Sequence, residues 1–180
     1  MRKPSNAGFT LLELLVVVAV IGIIASIAVP GLLRARMAGN EAAAIGSLRA
    51  VNSSQNAYMS SCGNGFYAAT LLILSDPAPT GAAFISPDLG SALIIQKSGY
   101  ELSMAEGSES INASRDGCNP SGVAANLYSS YYAWNSPMTT GSGSRWFWTN
   151  TLGTIYVDTA DVFAGEDVGN AAPGAGSPLQ

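Results

Sequence analysis

The segment that most constrains this chain is an apolar run of 21 residues from Phe9 to Val29, which contains one acidic residue, Glu13. As an α-helix rising about 1.5 Å per residue, the run spans about 31 Å, close to the thickness of the hydrocarbon core of a bilayer. A carboxylate at the centre of such a segment costs on the order of 2.5–3.5 kcal/mol, and less near one end. Glu13 therefore needs a partner, which makes it a candidate functional residue.

The basic dipeptide Arg2-Lys3 precedes this run, and such basic residues keep the N-terminus in the cytoplasm while the rest of the chain crosses the membrane. Three interpretations account for this arrangement. One is a secretory signal peptide, with an apolar stretch over 14–25 and a small-residue cleavage site at 26–28. Another is a plain membrane anchor. Neither explains Glu13, nor the position of Gly8-Phe9 at the boundary between the polar and apolar segments.

The third interpretation comes from the hexapeptide Gly8–Glu13, GFTLLE. It resembles the processing motif of type IV prepilins and type II secretion pseudopilins. The resemblance implies that a prepilin peptidase cuts after Gly8, that Phe9 becomes the N-methylated first residue, and that the apolar segment is retained. It further implies a precursor in the bacterial inner membrane that polymerises with copies of itself into a helical filament. An inner-membrane assembly platform and its ATPase would drive that step.

The same resemblance gives Glu13 a role in assembly. Residues four apart share one face of a helix, so Glu13 faces its own terminal amine on Phe9. In the family, the acid of an incoming subunit is thought to pair with the terminal amine of a subunit already in the filament. In a medium of low dielectric constant a lone carboxylate is costly and its pairing valuable, so Glu13 is expected to set the axial register.

Gly22 and Pro30 lie within and just after the apolar run. Proline removes a helix hydrogen bond and clashes with the preceding turn, so one interpretation is that the helix ends there. A helical pattern nevertheless continues from Arg34 to Tyr58. We therefore expect a kink, or a locally extended stretch between Gly22 and Pro30, once the subunit leaves the bilayer.

The segment after Pro30 predicts an amphipathic helix. Its apolar stripe recurs at three- and four-residue steps and comprises Leu33, Met37, Ala44, Leu48, Val51, Gln55 and Tyr58. Glu41 falls mostly off this stripe. Beyond it, short helices are predicted near 67–74 and 87–96. Strands are predicted at 99–105, 129–135, 145–149 and 154–158, the last two joined by a tight hairpin at 150–153.

The predicted fold class is therefore α+β, with a long N-terminal α-helix spine and a small antiparallel sheet of three or four strands, as in a type IV pilin. The chain divides into a cleaved leader 1–8, a transmembrane or filament-core helix 9–30, an amphipathic helix 31–61, a head 62–163 and a tail 164–180. The tail is rich in glycine, alanine and proline, and we expect it to be mobile.

The two cysteines, Cys62 and Cys118, lie beyond the apolar segment. If that part of the chain is exported, they can form a disulfide, which adds about 4 kcal/mol on the chain-entropy model. Two free buried thiols are the alternative.

Composition argues against several other functions. The chain has no histidine, and no serine has an evident activating base, so we expect no catalytic residues and no enzyme. The formal net charge of −4 argues against non-specific nucleic-acid binding. No cofactor motif is present. Asp158 and Asp161 are weak calcium candidates in an acidic cluster with Glu166 and Asp167, although a solvated loop is the preferred interpretation.

Trp146, Phe147 and Trp148 alternate across one predicted strand, which places aromatic rings on both faces of the sheet. The preferred interpretation is core packing on one face and a subunit contact or strand pair on the other. A face that stacks a ligand or a carbohydrate is the alternative.

The predicted function is a structural subunit of a type IV pilus, a surface filament of the motility or adhesion type. The alternative is a pseudopilin in a periplasmic type II secretion pseudopilus, where the task is protein secretion. A third hypothesis is an exported binding domain on an uncleaved membrane anchor, which predicts monomers in detergent.

Overall fold

The structure is a computed structural model, and it describes residues 8–79, 81–163 and 165–179. It divides into two compact units whose boundary, between Arg36 and Met37, falls within the first helix. The predicted α+β class is confirmed, because a long N-terminal helix is followed by a small antiparallel sheet.

Helix α1 extends over Leu11–Ser61. It contains Pro30 in its interior and remains helical across Gly22 and Pro30. Because proline has no N–H, the carbonyl group four residues earlier, on Ser26, lacks its usual donor. The kink or extended stretch expected between Gly22 and Pro30 concerns the subunit outside a bilayer, and it stays a prediction.

The second unit contains two sheets and three short helical elements. A six-stranded sheet has the order β2-β3-β5-β6-β7-β8, and every neighbouring pair is antiparallel. Its strands are β2 Ile94–Lys97, β3 Tyr100–Glu106, β5 Tyr131–Pro137, β6 Trp146–Asn150, β7 Ile155–Asp158 and β8 Ser177–Pro178. A second sheet pairs β1 Tyr67–Ala68 with β4 Leu127–Tyr128, and the remaining elements are α2 Leu71–Ser75, α3 Pro87–Gly90 and the 3-10 turn Ala124–Asn126.

The core lies between the second part of α1 and the inner face of the sheet. From the predicted stripe, α1 buries Ala44, Leu48, Val51, Gln55 and Tyr58, whereas Leu33 is exposed. The sheet contributes large buried side chains, among them Tyr100, Leu102, Tyr131 and Phe147.

Polar side chains also cross this interface, and each has hydrogen-bond partners. Gln55 donates to the Ala68 carbonyl at 2.7 Å and accepts from the Ala68 N–H at 3.0 Å, so it acts like a strand partner. Asn52 donates to Thr149 Oγ1 at 2.9 Å and accepts from the Tyr131 hydroxyl at 2.9 Å. Because a buried polar group without a partner is costly, these pairs fix how α1 sits on the sheet.

Glu41 corrects the sequence analysis, because it is only 5% exposed instead of lying on the solvated side of α1. Its Oε1 accepts hydrogen bonds from the N–H of Ser144 at 3.0 Å and from the Ser144 hydroxyl at 3.2 Å. Its Oε2 pairs with Arg145 at 2.6 Å. The loop between β5 and β6 folds over the helix and supplies these partners, which no local pattern in α1 records.

We expect Glu41→Gln to lower the free energy of unfolding by about 2 kcal/mol, because it leaves Arg145 unpaired and removes charge-assisted hydrogen bonds. Burial raises the pKa of Glu41, but the hydrogen bonds from Ser144 and Arg145 and the charge of Arg145 outweigh it and hold the pKa below that of an ordinary glutamate. The stabilisation is therefore present above the unfolded-state pKa and is lost as the pH falls through the folded-state pKa.

Chemical denaturation of the full chain in nonionic detergent measures this effect. Glu109→Gln is the matched control, because Glu109 is exposed, and its cost should stay within about 0.5 kcal/mol. An equal effect of the two substitutions at neutral pH would contradict the assignment.

The sheet has more strands than predicted, and β2 explains part of the difference. A short helix was predicted through 87–96, but α3 ends at Gly90 and residues 94–97 pair with β3 instead. The turn between β2 and β3 is Ser98-Gly99, and both residues have positive φ, at 49° and 73°. This is the two-residue turn typical of a tight hairpin, and it overrides the helix-start signal of Pro87.

Residues 165–179 have partners that the sequence analysis did not predict, and the expected mobility of the tail stays a prediction. Strand β8 pairs with β7, and the Leu179 N–H donates to the Ile155 carbonyl at 2.7 Å. The side-chain amide of Asn150 donates to the carbonyls of Val168 and Ala171, at 3.2 and 2.6 Å. The tail segment thus completes the sheet edge, because its backbone groups have partners that the composition of the tail does not reveal.

Candidate functional site

The motif GFTLLE begins outside the helix. Gly8, Phe9 and Thr10 have no helical structure, and helix α1 begins at Leu11. The Phe9 side chain is 78% exposed, and an added Cβ on Gly8 would meet no atom within 4 Å among the described residues. The peptide bond after Gly8 therefore lies in an accessible, irregular segment, which is the geometry that a peptidase requires.

Thr10 and Glu13 form a capping box at the start of α1. Glu13 Oε2 accepts from the Thr10 N–H at 2.9 Å and from the Thr10 hydroxyl at 2.6 Å, and the Glu13 N–H donates to Thr10 Oγ1 at 3.2 Å. A threonine followed three residues later by glutamate is the sequence signature of this motif, so the contact was readable from the sequence and was missed. In the uncleaved chain the partner of Glu13 is Thr10, and the pairing of Glu13 with a Phe9 amine stays a prediction.

The apolar part of α1 is exposed along its length. An 18-residue window has a mean hydropathy of 2.8, with none of it buried inside the protein. By length and composition the helix can cross a membrane. The large side chains from Leu11 to Leu33 are each about half or more exposed, so this surface needs a bilayer or another protein to cover it.

Cys62 and Cys118 are joined in a disulfide, with their Cα atoms 4.8 Å apart. The bond ties the end of α1 to the loop before β4. Next to it, the Tyr58 hydroxyl donates to Asn119 Oδ1 at 2.9 Å, and the Asn119 amide donates to the Ile73 carbonyl at 2.7 Å. The disulfide and Asn119 therefore hold three segments of the head together.

The three aromatic residues of β6 have different surroundings. Phe147 packs in the core against Tyr100, with ring centroids 5.8 Å apart. Trp148 is on the opposite face but is also fully buried, because Phe163 stacks on it with centroids 6.3 Å apart. The expected outer contact of this strand is thus made by the chain's own segment after β7, and Trp146 remains partly exposed.

The acidic residues near the C-terminus do not form a metal site in the described part of the chain, where no three histidine, cysteine or acidic side chains come together. Asp158 Oδ1 instead accepts from the N–H groups of Thr159 and Ala160, at 2.6 and 3.1 Å. Within the described residues, the weak calcium candidates Asp158 and Asp161 therefore belong to no group of three possible metal ligands.

Comparison with known proteins decides what the N-terminal segment is. A family model described as “Prokaryotic N-terminal methylation motif” matches residues 3–29. Residues 3–29 are therefore similar to that motif. The matched residues include the Gly8-Phe9 junction, the capping box and most of the exposed apolar helix. The solvent-exposed features of the N-terminal segment therefore coincide with the methylation motif.

A relative extends the comparison. The chain is 40% identical over 58 residues to a type IV major pilin protein, PilA, of Myxococcus xanthus (strain DK1622). The match covers 32% of this chain and 26% of that relative, about a quarter of its length. No solved structure matches the chain. The motif and the relative together support a subunit of the pilin or pseudopilin type.

Proposed function

We propose that this chain is a structural subunit of a type IV pilus, cleaved after Gly8, N-methylated at Phe9 and polymerised through its N-terminal helix. The observation that carries the proposal is the methylation motif on an accessible junction, two residues before an apolar helix with no cover of its own. The inner membrane holds the precursor, and an assembly platform with its ATPase extracts the subunit into a surface filament.

N-terminal sequencing and intact mass of the protein from native cells test the processing step. We expect a chain that begins at Phe9 and carries one added methyl group. A chain that begins at Val29 would indicate an ordinary signal peptide. An intact Met1 would indicate a plain anchor, and either result would remove the filament proposal.

The charge of Glu13 acts in assembly rather than in folding. Its contact with Thr10 satisfies the carboxylate in the single subunit, and cleavage then creates a cationic amine on Phe9 nearby. In the apolar interior of a filament, a charged pair between the Glu13 carboxylate and the Phe9 amine of a neighbour is worth more than the cap alone, because the dielectric constant is low.

Two substitutions separate these roles. Glu13→Gln keeps an acceptor for the capping box but loses the charge, and we expect it to reduce filament yield at least about tenfold, the effect of about 1.4 kcal/mol in an equilibrium. Thr10→Val removes the two hydroxyl contacts of the capping box and keeps the charge, so filaments should still form. Electron microscopy and sheared-filament yield measure both. Normal filaments with Glu13→Gln would show that assembly does not need the charge of Glu13. Loss of filaments with Thr10→Val alone would likewise leave Glu13 with no role beyond capping the helix.

A type II secretion pseudopilin remains the second candidate, because it shares the same motif and helix. Imaging the cell surface discriminates between the two. Long surface filaments that contain this chain support the pilus. Their absence, together with failed secretion of exported proteins when the chain is deleted, supports the pseudopilus.

A further inference from the structure

A cleft of about 210 Å³ opens on the outer face of the sheet, between β5 and the segment that follows β7. We name it the outer cleft. Its walls are formed by Tyr132, Trp134 and Ser136 on one side and by Asp161, Phe163 and Glu166 on the other. Its lining residues all belong to the second compact unit, and none of them is part of the methylation motif.

The pleat of β5 builds the aromatic wall. Alternate residues of a strand point to opposite faces, and Tyr131, Ala133 and Asn135 are buried on the face toward α1. Tyr132 and Trp134 therefore point outward. Their rings stack with centroids 5.3 Å apart and an interplanar angle of 19°. Both side chains are partly exposed and line the cleft, so the stacked pair presents aromatic surface to a ligand.

Trp148 lies beside this wall on the same outer face of the sheet. It lies opposite Trp134 in the register of β5 and β6, and it is fully buried under Phe163. The indole N–H of Trp148 also donates to the Glu166 carbonyl at 3.3 Å. This bond fixes the backbone of the segment that carries Glu166 against the sheet, so the two walls are held by contacts of their own.

The other wall is negatively charged. Within residues 8–79, 81–163 and 165–179, the ion pairs are Lys97 with Asp88 and Arg145 with Glu41, so no basic side chain of the described chain neutralises Asp161 or Glu166. Burial and the nearby carboxylates of Asp167 and Glu106 raise the pKa of Tyr132, which agrees with a negative potential at this end of the cleft.

These features select the ligand chemistry. Exposed aromatic faces next to carboxylates attract organic cations, because the cation gains from both the ring quadrupole and the negative charge. The volume of the outer cleft is below the range of about 300–1,000 Å³ that holds a drug-sized ligand. A single small cationic group therefore fits, and a saccharide chain does not. We propose that the outer cleft binds a small alkylammonium group, as carried by choline or by a lysine side chain.

Isothermal titration calorimetry of the full chain in a nonionic detergent, at constant ionic strength, tests the proposal. The probes are choline, for a free quaternary ammonium, and N-acetyl-lysine amide, for the primary ammonium of a protein side chain. The tighter of the two identifies the source. The neutral control is 3,3-dimethylbutan-1-ol, which has the shape of choline without its charge. We expect saturable binding of an ammonium probe and none of the alcohol.

Variants locate the site. Trp134→Leu and Glu166→Gln should each weaken ammonium binding about tenfold, because one removes the aromatic face and the other the charge. Glu166→Gln keeps the shape of the side chain and guards against a folding defect of Trp134→Leu. Trp146→Leu and Glu109→Gln are the matched controls outside the cleft and should leave binding unchanged.

Three results would overturn the proposal. They are no saturable binding of either ammonium probe, equal binding of the neutral alcohol, and equal effects of the cleft variants and their controls. These outcomes do not depend on processing or filament formation, so the proposal can fail while the pilus assignment stands.

Discussion

Gly8→Val is expected to leave the full chain of 180 residues uncleaved in the membrane and to abolish filaments. Gly8 is exposed, lies outside α1, and has no described atom within 4 Å of an added Cβ. A β-branched side chain there therefore disturbs no packing among the residues that the structure describes. Its effect falls on the peptidase, which must bring its catalytic groups close to the backbone at the cleaved bond.

Gly39→Val is the matched control for cleavage. Gly39 is also exposed and also has no atom near an added Cβ, but it lies in α1, far along the sequence from the junction. Intact mass should show cleavage after Gly8 in this control and a retained leader in Gly8→Val. A Gly8→Val chain that begins at Phe9 would contradict the assignment of the cleavage site.

Removing the disulfide gives the second large effect. We expect the double substitution Cys62→Ser, Cys118→Ser to lower the free energy of unfolding by about 4 kcal/mol, because the unfolded chain regains the entropy of a closed loop with a sequence separation of 56 residues. That is a large part of the 5–15 kcal/mol typical of a domain. Denaturant titration of the full chain in nonionic detergent measures the difference.

Reduction provides the same test without mutation, because Cys118 is exposed and a reductant can reach it. Dithiothreitol should destabilise the wild-type chain and leave the double variant unchanged. Tyr58→Phe is a control that removes only the neighbouring hydrogen bond to Asn119, and it should cost about 1 kcal/mol. Equal stability of the oxidised and reduced wild-type chains would contradict the expected contribution.

The sequence determined the features whose cause is local. The apolar run and the hexapeptide GFTLLE needed no tertiary information, because membrane compatibility depends on composition over a single helix and the methylation motif is a contiguous peptide. The hairpin at Asn150–Gly153 was likewise local, and Gly153 takes the positive φ, 75°, that its turn requires. The capping box of Thr10 and Glu13 was equally local and was overlooked.

The tertiary structure alone decided which partner covers each surface. The helical stripe predicted that Leu48 and Tyr58 face a core, but the burial of Glu41 depends on a loop 103 residues further along the chain. The cover of Trp148 by Phe163 depends on a residue at the end of the predicted head, and the pairing of β8 depends on residues of the tail rich in glycine, alanine and proline. Periodicity records which face of an element is buried, and it carries no information about the distant segment that buries it.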